Sequence, residues 1–149
     1  MVWYFAYGSN MDPDQMKIRG VSFSKRLHAV LKGFRLEFNK LSFRNPREGY
    51  ANIVPDREGV VEGILYEVED EDLSKLDRYE GYPFHYNRVK VDVMLDDGQM
   101  VEAVAYIARP EMTRKNLKPT KEYLSHLLKG SDLLSKEYYE RLSNVRTLD

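Results

Sequence analysis

Glu80 ends an apolar stripe, and that placement gives it chemical potential. In Leu73-Ser74-Lys75-Leu76-Asp77-Arg78-Tyr79-Glu80-Gly81 the residues Leu73, Leu76 and Glu80 recur at i, i+3 and i+7. That spacing puts them on one face of a helix. Gly81 is the expected terminator, so Glu80 lies near the negative end of the helix dipole. Partial burial and the dipole both disfavour its charged form, so a raised pKa is the expected direction. Such a carboxylate can accept and return a proton near neutral pH. The plainer alternative is a surface glutamate at a frayed helix end. Asp77, three residues earlier, makes a carboxylate pair with Glu80, but the neighbourhood offers too few further ligands for a metal.

A second place with chemical potential is Tyr4-Phe5-Ala6-Tyr7-Gly8-Ser9-Asn10. A glycine leaving a buried strand just before a helix N-cap exposes consecutive backbone N–H groups. Such a turn suits a carboxylate or a developing oxyanion. Asn10 is placed to hold it through a local side-chain bond, although an ordinary strand-to-helix turn would read the same way. Ser9 lacks the G-x-S-x-G elbow and has no assigned histidine, which argues against a serine nucleophile. Tyr106 and Tyr123 are two of 11 tyrosines that could present hydroxyls to a pocket.

Composition removes several other chemistries. The chain has 149 residues, 23 Lys plus Arg, 24 Asp plus Glu and a net charge of −1. With 42% apolar residues it is expected to fold, as a single domain over residues 1–149. The absence of cysteine excludes disulfides, thiolate zinc and a cysteine nucleophile. Three scattered histidines, His28, His85 and His126, make no metal cluster. No metal and no cofactor are expected. There is no 18-residue apolar run and no basic leader before the first apolar stretch. The expectation is a cytoplasmic protein with no membrane partner.

The positioning elements follow from periodicity. Val2–Tyr7 reads as a buried strand, Asp12-Pro13 as a helix start running to about Arg19, and Gly20 as its stop. Phe34, Leu36 and Phe38 alternate with Arg35, Glu37 and Asn39 as a half-exposed strand. Arg44–Gly49 reads as a loop, Tyr50–Val54 as a short strand closed by Pro55, and Val60–Val68 as a central strand. Asp70 is expected to cap the helix that carries Glu80. Val89–Leu95 and Val101–Ile107 flank Asp96-Asp97-Gly98 as a hairpin. Thr120 and Ser135 start two further helices, with Gly130 as a stop between them and Leu142 near the end of the second. Mostly antiparallel strands with segregated helices make an α+β fold.

These residues together resemble the γ-glutamylcyclotransferase-like family (AIG2-like, BtrG-like). The likeness begins at Tyr4–Asn10 and continues through Phe34-x-Leu36-x-Phe38, Ala51-Asn52-Ile53 and Val61-x-Gly63. It becomes specific again at Leu76-Asp77-x-x-Glu80-Gly81, then Tyr86, Tyr106 and Pro119-x-x-x-Tyr123, in order along nearly the whole chain. The resemblance implies a small mixed, mainly antiparallel β-barrel with helices packed outside and a pocket at its mouth. It also implies release of an amine or amino acid from a γ-glutamyl compound, with formation of 5-oxoproline. Glu80 matches the family's catalytic glutamate. Tyr4, Phe5, Ala6, Tyr7, Gly8, Ser9 and Asn10 match its substrate loop and Tyr123 a substrate-contacting tyrosine, with Tyr86 and Tyr106 as further pocket residues.

Some features depart from the pattern. The loop reads YGSN rather than YGSL, against the glutathione-specific branch. The aromatic stretch Gly81–Tyr86 is expected to rim the pocket and choose the leaving group. The chain ends soon after its last helix, so a longer family tail is expected to be missing. The expected partner is a small γ-glutamyl molecule, with no nucleic acid, acting on a monomer or homodimer. Two other readings stay open at this level. One is a small-molecule-binding homologue without turnover. The other is a nucleic-acid binder using residues 17–47, where nine basic groups face one acid, Glu37, and Phe34, Phe38 and Phe43 interleave. Residues 56–102 carry 14 acids against five bases, so two complementary halves of one fold explain the same asymmetry.

Overall fold

Val89–Met94 and Val101–Ile107 lie in paired strands as the alternation predicts, β4 (Tyr86–Met94) and β5 (Met100–Ala108), with Leu95 just past the strand, and Gly98 turns the chain at φ +88°. The computed structural model describes residues 1–149. Three more strands precede that hairpin: β1 (Val2–Ala6), β2 (Lys25–Leu41) and β3 (Gly49–Val68). The five close into a barrel in the order β1-β3-β2-β4-β5. Every ladder is antiparallel except that of β1 with β5, which run parallel and meet at Tyr4 opposite Val104. The expected mixed, mainly antiparallel barrel is therefore the fold. Four helices lie outside it: α1 (Pro13–Ile18), α2 (Asp70–Glu80), α3 (Lys121–Leu128) and α4 (Lys136–Ser143).

Several element ends follow the expected local chemistry. Asp12, Thr120 and Ser135 accept from the backbone N–H of Asp14, Tyr123 and Tyr138, capping α1, α3 and α4. Gly81 ends α2 in the left-handed region at φ +67°. The start of α2 differs from expectation. Glu69 is the N-cap, without a side-chain bond, and Asp70 is the first helical residue, where its charge meets the positive end of the dipole.

The larger correction concerns Pro55, which does not close a strand. β2 and β3 form one long hairpin, and segments 25–33 and 55–59 are strand as well. The ladder is irregular there: Lys32 faces Val60, but Phe34 faces Pro55, across a shift beside Gly33 at φ +88°. Sheets tolerate proline where the ladder is broken, because no N–H is required of it. Val60–Val68 is central as expected, since β3 pairs with both β1 and β2.

Alternation along β1 sorts its side chains into two cores. Phe5 joins Ala29, Ile53, Val61, Leu65, Val93 and Ala105, contributed by all five strands, in the barrel interior. Tyr4 and Ala6 face the other way, into an 18-residue cluster roofed by Leu73, Leu76, Leu124, Leu127 and Leu142 of the helices. The stripe on α2 is thus buried as the spacing predicts, with Leu76 fully enclosed. Gly63 lets β1 lie close against β3. A Cβ there would stand 2.5 Å from the Ala6 carbonyl oxygen and 2.7 Å from the Phe5 ring. Gly63→Ala is expected to destabilise the fold by about 1–3 kcal/mol through overpacking, read as a lower urea midpoint.

Candidate active site

The strand that enters the core leaves it at the barrel mouth. Beyond Ala6 the chain passes Tyr7 and Gly8 into a single 3₁₀ turn, Ser9–Met11, which feeds the Asp12 cap of α1. The turn falls where the sequence places it, at Gly8-Ser9-Asn10, and only its 3₁₀ form carries no periodic signal. Neither the Tyr7 nor the Gly8 amide donates to a backbone carbonyl, so both N–H groups are free for a ligand. A side chain at Gly8 would crowd the Ala51 Cβ at 3.1 Å and touch the Tyr123 hydroxyl at 3.5 Å.

Across from this turn stands the last residue of α2. Glu80 is half-buried at the mouth, while Leu73 and Leu76 of the same face are in the core. Its carboxylate accepts from the Asn10 side-chain amide at 3.3 Å. Burial pushes its pKa above the ordinary glutamate range, opposed in part by the cationic Arg19 and Lys40. Asn10 is itself buried and held from both ends. Its amide nitrogen also donates to the Tyr4 hydroxyl at 3.0 Å, and its oxygen accepts from Arg19 at 2.9 Å and Gln15 at 3.3 Å. The Tyr66 hydroxyl fixes the Asn10 carbonyl at 2.7 Å. The Ser9 hydroxyl is bound by Gln15 at 2.6 Å, and His126 is engaged by Asp12 at 2.8 Å.

The tyrosines frame the cleft, with hydroxyls tied to fixed partners. Tyr86 donates to the Ala51 carbonyl at 2.8 Å, and the Ala51 N–H donates to Tyr123 at 3.0 Å, so one residue of β3 anchors both rings. Tyr106 lines the cleft with its ring, but its hydroxyl turns away to Asp77 at 2.6 Å, and Arg88 lies 3.4 Å from the same carboxylate. Asp77 and Glu80 therefore serve different partners and do not converge. Tyr4, Phe5, Tyr7, Gly8, Ser9, Asn10, Glu80, Tyr86, Tyr106 and Tyr123 all line this narrow inner cleft, of about 30 Å³. Ala6 does not line it; its short side chain is enclosed in the helix-facing core.

The cleft opens into a wider basin of about 570 Å³. Ser9, Glu80, Tyr86 and Tyr123 border both compartments. The basin adds Arg19, Lys40, Arg44, Arg78, His85 and Phe43, from the basic stretch and from the aromatic loop after α2. Of the three interleaved phenylalanines, Phe34 and Phe38 pack against the core, while Phe43 is exposed and lies 4.8 Å from the His85 ring. Lys40 was legible in the sequence only as one base among nine. No local signal marks it, because its neighbours come from three separate segments.

The arrangement has close counterparts. The crystal structure of an uncharacterized human protein superposes with a TM-score of 0.87 at 25% identity, covering 99% of this chain and 89% of that one. YkqA of Bacillus subtilis does so at 0.84 and 27% identity, over 98% of this chain but 55% of its own. The human gamma-glutamylcyclotransferase is 26% identical over 153 residues, 98% of this chain and 79% of that one. A relative from Methanocaldococcus jannaschii is 37% identical over 62 residues, 38% of this chain and 52% of its own. Barrel and mouth are those of a cyclotransferase-like enzyme. The family model for "Gamma-glutamyl cyclotransferase, AIG2-like" matches residues 4–125, and the chain belongs to that family.

Asn10 ties these parts together, so its loss should be felt in stability. Asn10→Ala leaves the buried Tyr4 hydroxyl without its donor, and is expected to cost about 1–3 kcal/mol in urea unfolding.

Proposed function

We propose that this chain cleaves a γ-glutamyl amide by cyclisation, with Glu80 moving the proton. The observation that carries the reading is the half-buried Glu80 carboxylate facing a turn with two free amides. In the proposed reaction the α-amine of the γ-glutamyl group attacks its own γ-carbonyl carbon. A new C–N bond closes the five-membered ring of 5-oxoproline, and the bond to the departing nitrogen breaks. Glu80 takes the proton that the α-ammonium must lose and delivers one to the leaving amine. The books balance without water, an oxidant or an enzyme nucleophile. The Tyr7 and Gly8 N–H groups support the developing oxyanion, worth about 3 kcal/mol per well-placed donor. The tyrosine walls hold the chain folded for attack, a term of roughly 7–11 kcal/mol in oriented intramolecular reactions.

Tyr4, Tyr7, Ser9, Asn10, Tyr86, Tyr106 and Tyr123 are assigned to substrate binding, with Phe5 and Ala6 supporting the loop from within the core. The reading further assigns residues 1–149 to one domain acting in the cytoplasm on a small molecule, as monomer or homodimer, without metal, cofactor or nucleic acid. No helix is long and apolar enough to cross a membrane.

The test is 5-oxoproline release, by mass spectrometry, from a panel of γ-glutamyl amino acids, γ-glutamyl amines and glutathione. Glu80→Gln is expected to lose at least about 100-fold in turnover, the lower bound of a general acid–base contribution. Near-normal turnover by that variant would sink the mechanism, and binding without any product would favour a non-catalytic homologue. Stability should move the other way. Because its folded pKa is raised, the stability conferred by protonated Glu80 is present below the unfolded value and lost as pH rises through the folded one. The neutral amide keeps that stability, so at pH 7 the Glu80→Gln unfolding midpoint is expected at or above wild type.

The pH profile has a matching sign. Glu80 must be ionised to act as base, so kcat/KM is expected to fall on the acid side with a midpoint above the ordinary glutamate value of about 4.3. An acid limb at or below that value would contradict the role assigned to burial.

A further inference from the structure

Asn52 is a polar side chain sealed into the wall behind the tyrosines. It is 2% exposed, between Ala51 and Ile53, which are buried as well. A buried amide is unfavourable unless its groups are bonded, and both ends of this one are. Its nitrogen donates to the Asn39 side-chain oxygen at 3.0 Å, and its oxygen accepts from the Ala108 N–H at 2.8 Å. The second bond joins strands that no backbone ladder connects, because β3 pairs with β1 and β2 and not with β5. The first bond reaches an irregular stretch of β2. Asn52 faces Glu37 and Tyr50 faces Lys40, so Phe38 and Asn39 together oppose the single residue Ala51. Such a two-against-one register bends a strand and re-aims its side chains. Here Phe38 packs edge-on against the Tyr123 ring, with centroids 6.5 Å apart, and Asn39 presents its side chain to Asn52.

These contacts close a ring around one wall of the cleft. The Tyr86 hydroxyl bonds Ala51, Asn52 follows Ala51 in the chain, the Asn52 side chain bonds Ala108, and Ala108 is the register partner of Tyr86. Tyr123 hangs from the same Ala51 through its hydroxyl and is backed by the bulge residue Phe38. Asn52 itself lines neither the cleft nor the basin. We infer that Asn52 is a positioning residue, which sets the spacing of the Tyr86 and Tyr123 walls by clamping their common anchor to β5 and to the β2 bulge. This inference rests on the cyclisation reading, in which those walls hold the γ-glutamyl chain folded for attack. A wall that relaxes lets the α-amine drift from the γ-carbonyl carbon, and a misplacement of about 1 Å is enough to lose about 100-fold in rate.

The experiment measures kcat and KM for 5-oxoproline release from the best compound of the panel, per mole of folded protein. Asn52→Leu keeps the side-chain volume and removes both bonds. Its kcat is expected to fall by about 10- to 100-fold, with KM within about threefold of wild type. Asn52→Asp has the same shape, keeps an acceptor for the Ala108 N–H and offers Asn39 a bonding partner in either ionisation state. It is expected to recover most of the lost kcat. Asn39→Ala removes one bond only, and its kcat is expected to fall by about 3- to 10-fold, the range of a single hydrogen bond. That variant decides even if Asn52→Leu fails to fold, since wild-type kcat in Asn39→Ala overturns the inference. A lower urea midpoint for Asn52→Leu with wild-type kcat and KM also overturns it and leaves Asn52 a purely structural residue, with cyclisation standing. So does an equal loss of kcat in Asn52→Leu and Asn52→Asp, or a rise in KM with kcat unchanged. Absence of 5-oxoproline from the wild type overturns the cyclisation reading, and this inference with it.

Discussion

β1 has five residues and two edges to hold. It pairs antiparallel with Ile64–Val68 of β3 on one side and meets β5 in parallel at Tyr4 and Val104 on the other. Without it the barrel would be an open sheet with two exposed edges, which proteins otherwise have to cover or blunt. The same five residues aim the chain at the mouth, so closure and the placement of the Tyr7-Gly8-Ser9 turn are one event. Gly63 makes the fit possible, because the Ala6 carbonyl and the Phe5 ring occupy the space a side chain would need. The site is therefore precise for the reason that the fold is closed. Its turn hangs from a strand that cannot move without opening the ladder.

The charges at the mouth form a graded set. Glu80 is held above its ordinary pKa mainly by burial, and Arg19 and Lys40 keep that shift from growing further. Arg19 also clamps the Asn10 oxygen, which turns the Asn10 nitrogen toward Tyr4 and Glu80. A single guanidinium thus tunes the carboxylate through space and orients its hydrogen-bond donor. The surrounding tyrosines, Tyr7 and Tyr86 among them, are kept neutral by the same burial. Their hydroxyls are tied to backbone, to Asn10 or to Asp77, which makes them walls and leaves Glu80 as the group at the mouth suited to proton traffic.

The mouth has two compartments. The narrow cleft is built from strand ends and tyrosine rings, and its shape is a consequence of barrel closure. The basin draws on loops and helix ends, the stretch after α2 and the 42–48 connection among them, with Lys40, Tyr50 and Tyr86 added from strand ends. Loops tolerate change better than strands do, so the loop-borne part of the basin is the part most open to change.

Much of this was legible in the amino-acid order. The Leu73, Leu76, Glu80 stripe, the Gly81 stop, the Asp12, Thr120 and Ser135 caps and the β4–β5 hairpin all depend on residues within a few positions of one another. The Tyr4–Asn10 turn was likewise visible, because glycine before a cap is a local device. The long β2–β3 hairpin was not, since Pro55 is a strand-breaker in sequence and harmless only beside a ladder shift that its partner strand supplies. Ala6 read as a pocket residue because its neighbours are, whereas it is enclosed in the helix-facing core by residues far away in sequence. Lys40 illustrates the limit most directly: the aromatic rings around its nitrogen belong to residues 43, 50 and 86, and its lack of an ion-pair partner is a property of a surface, not of a string. The sequence by itself determined the catalytic-looking carboxylate, its turn and the class of fold, through short-range periodicity and capping. Tertiary structure decided which charges were buried, which were paired and which compartment each one faces, because desolvation and pairing depend on groups far apart along the chain.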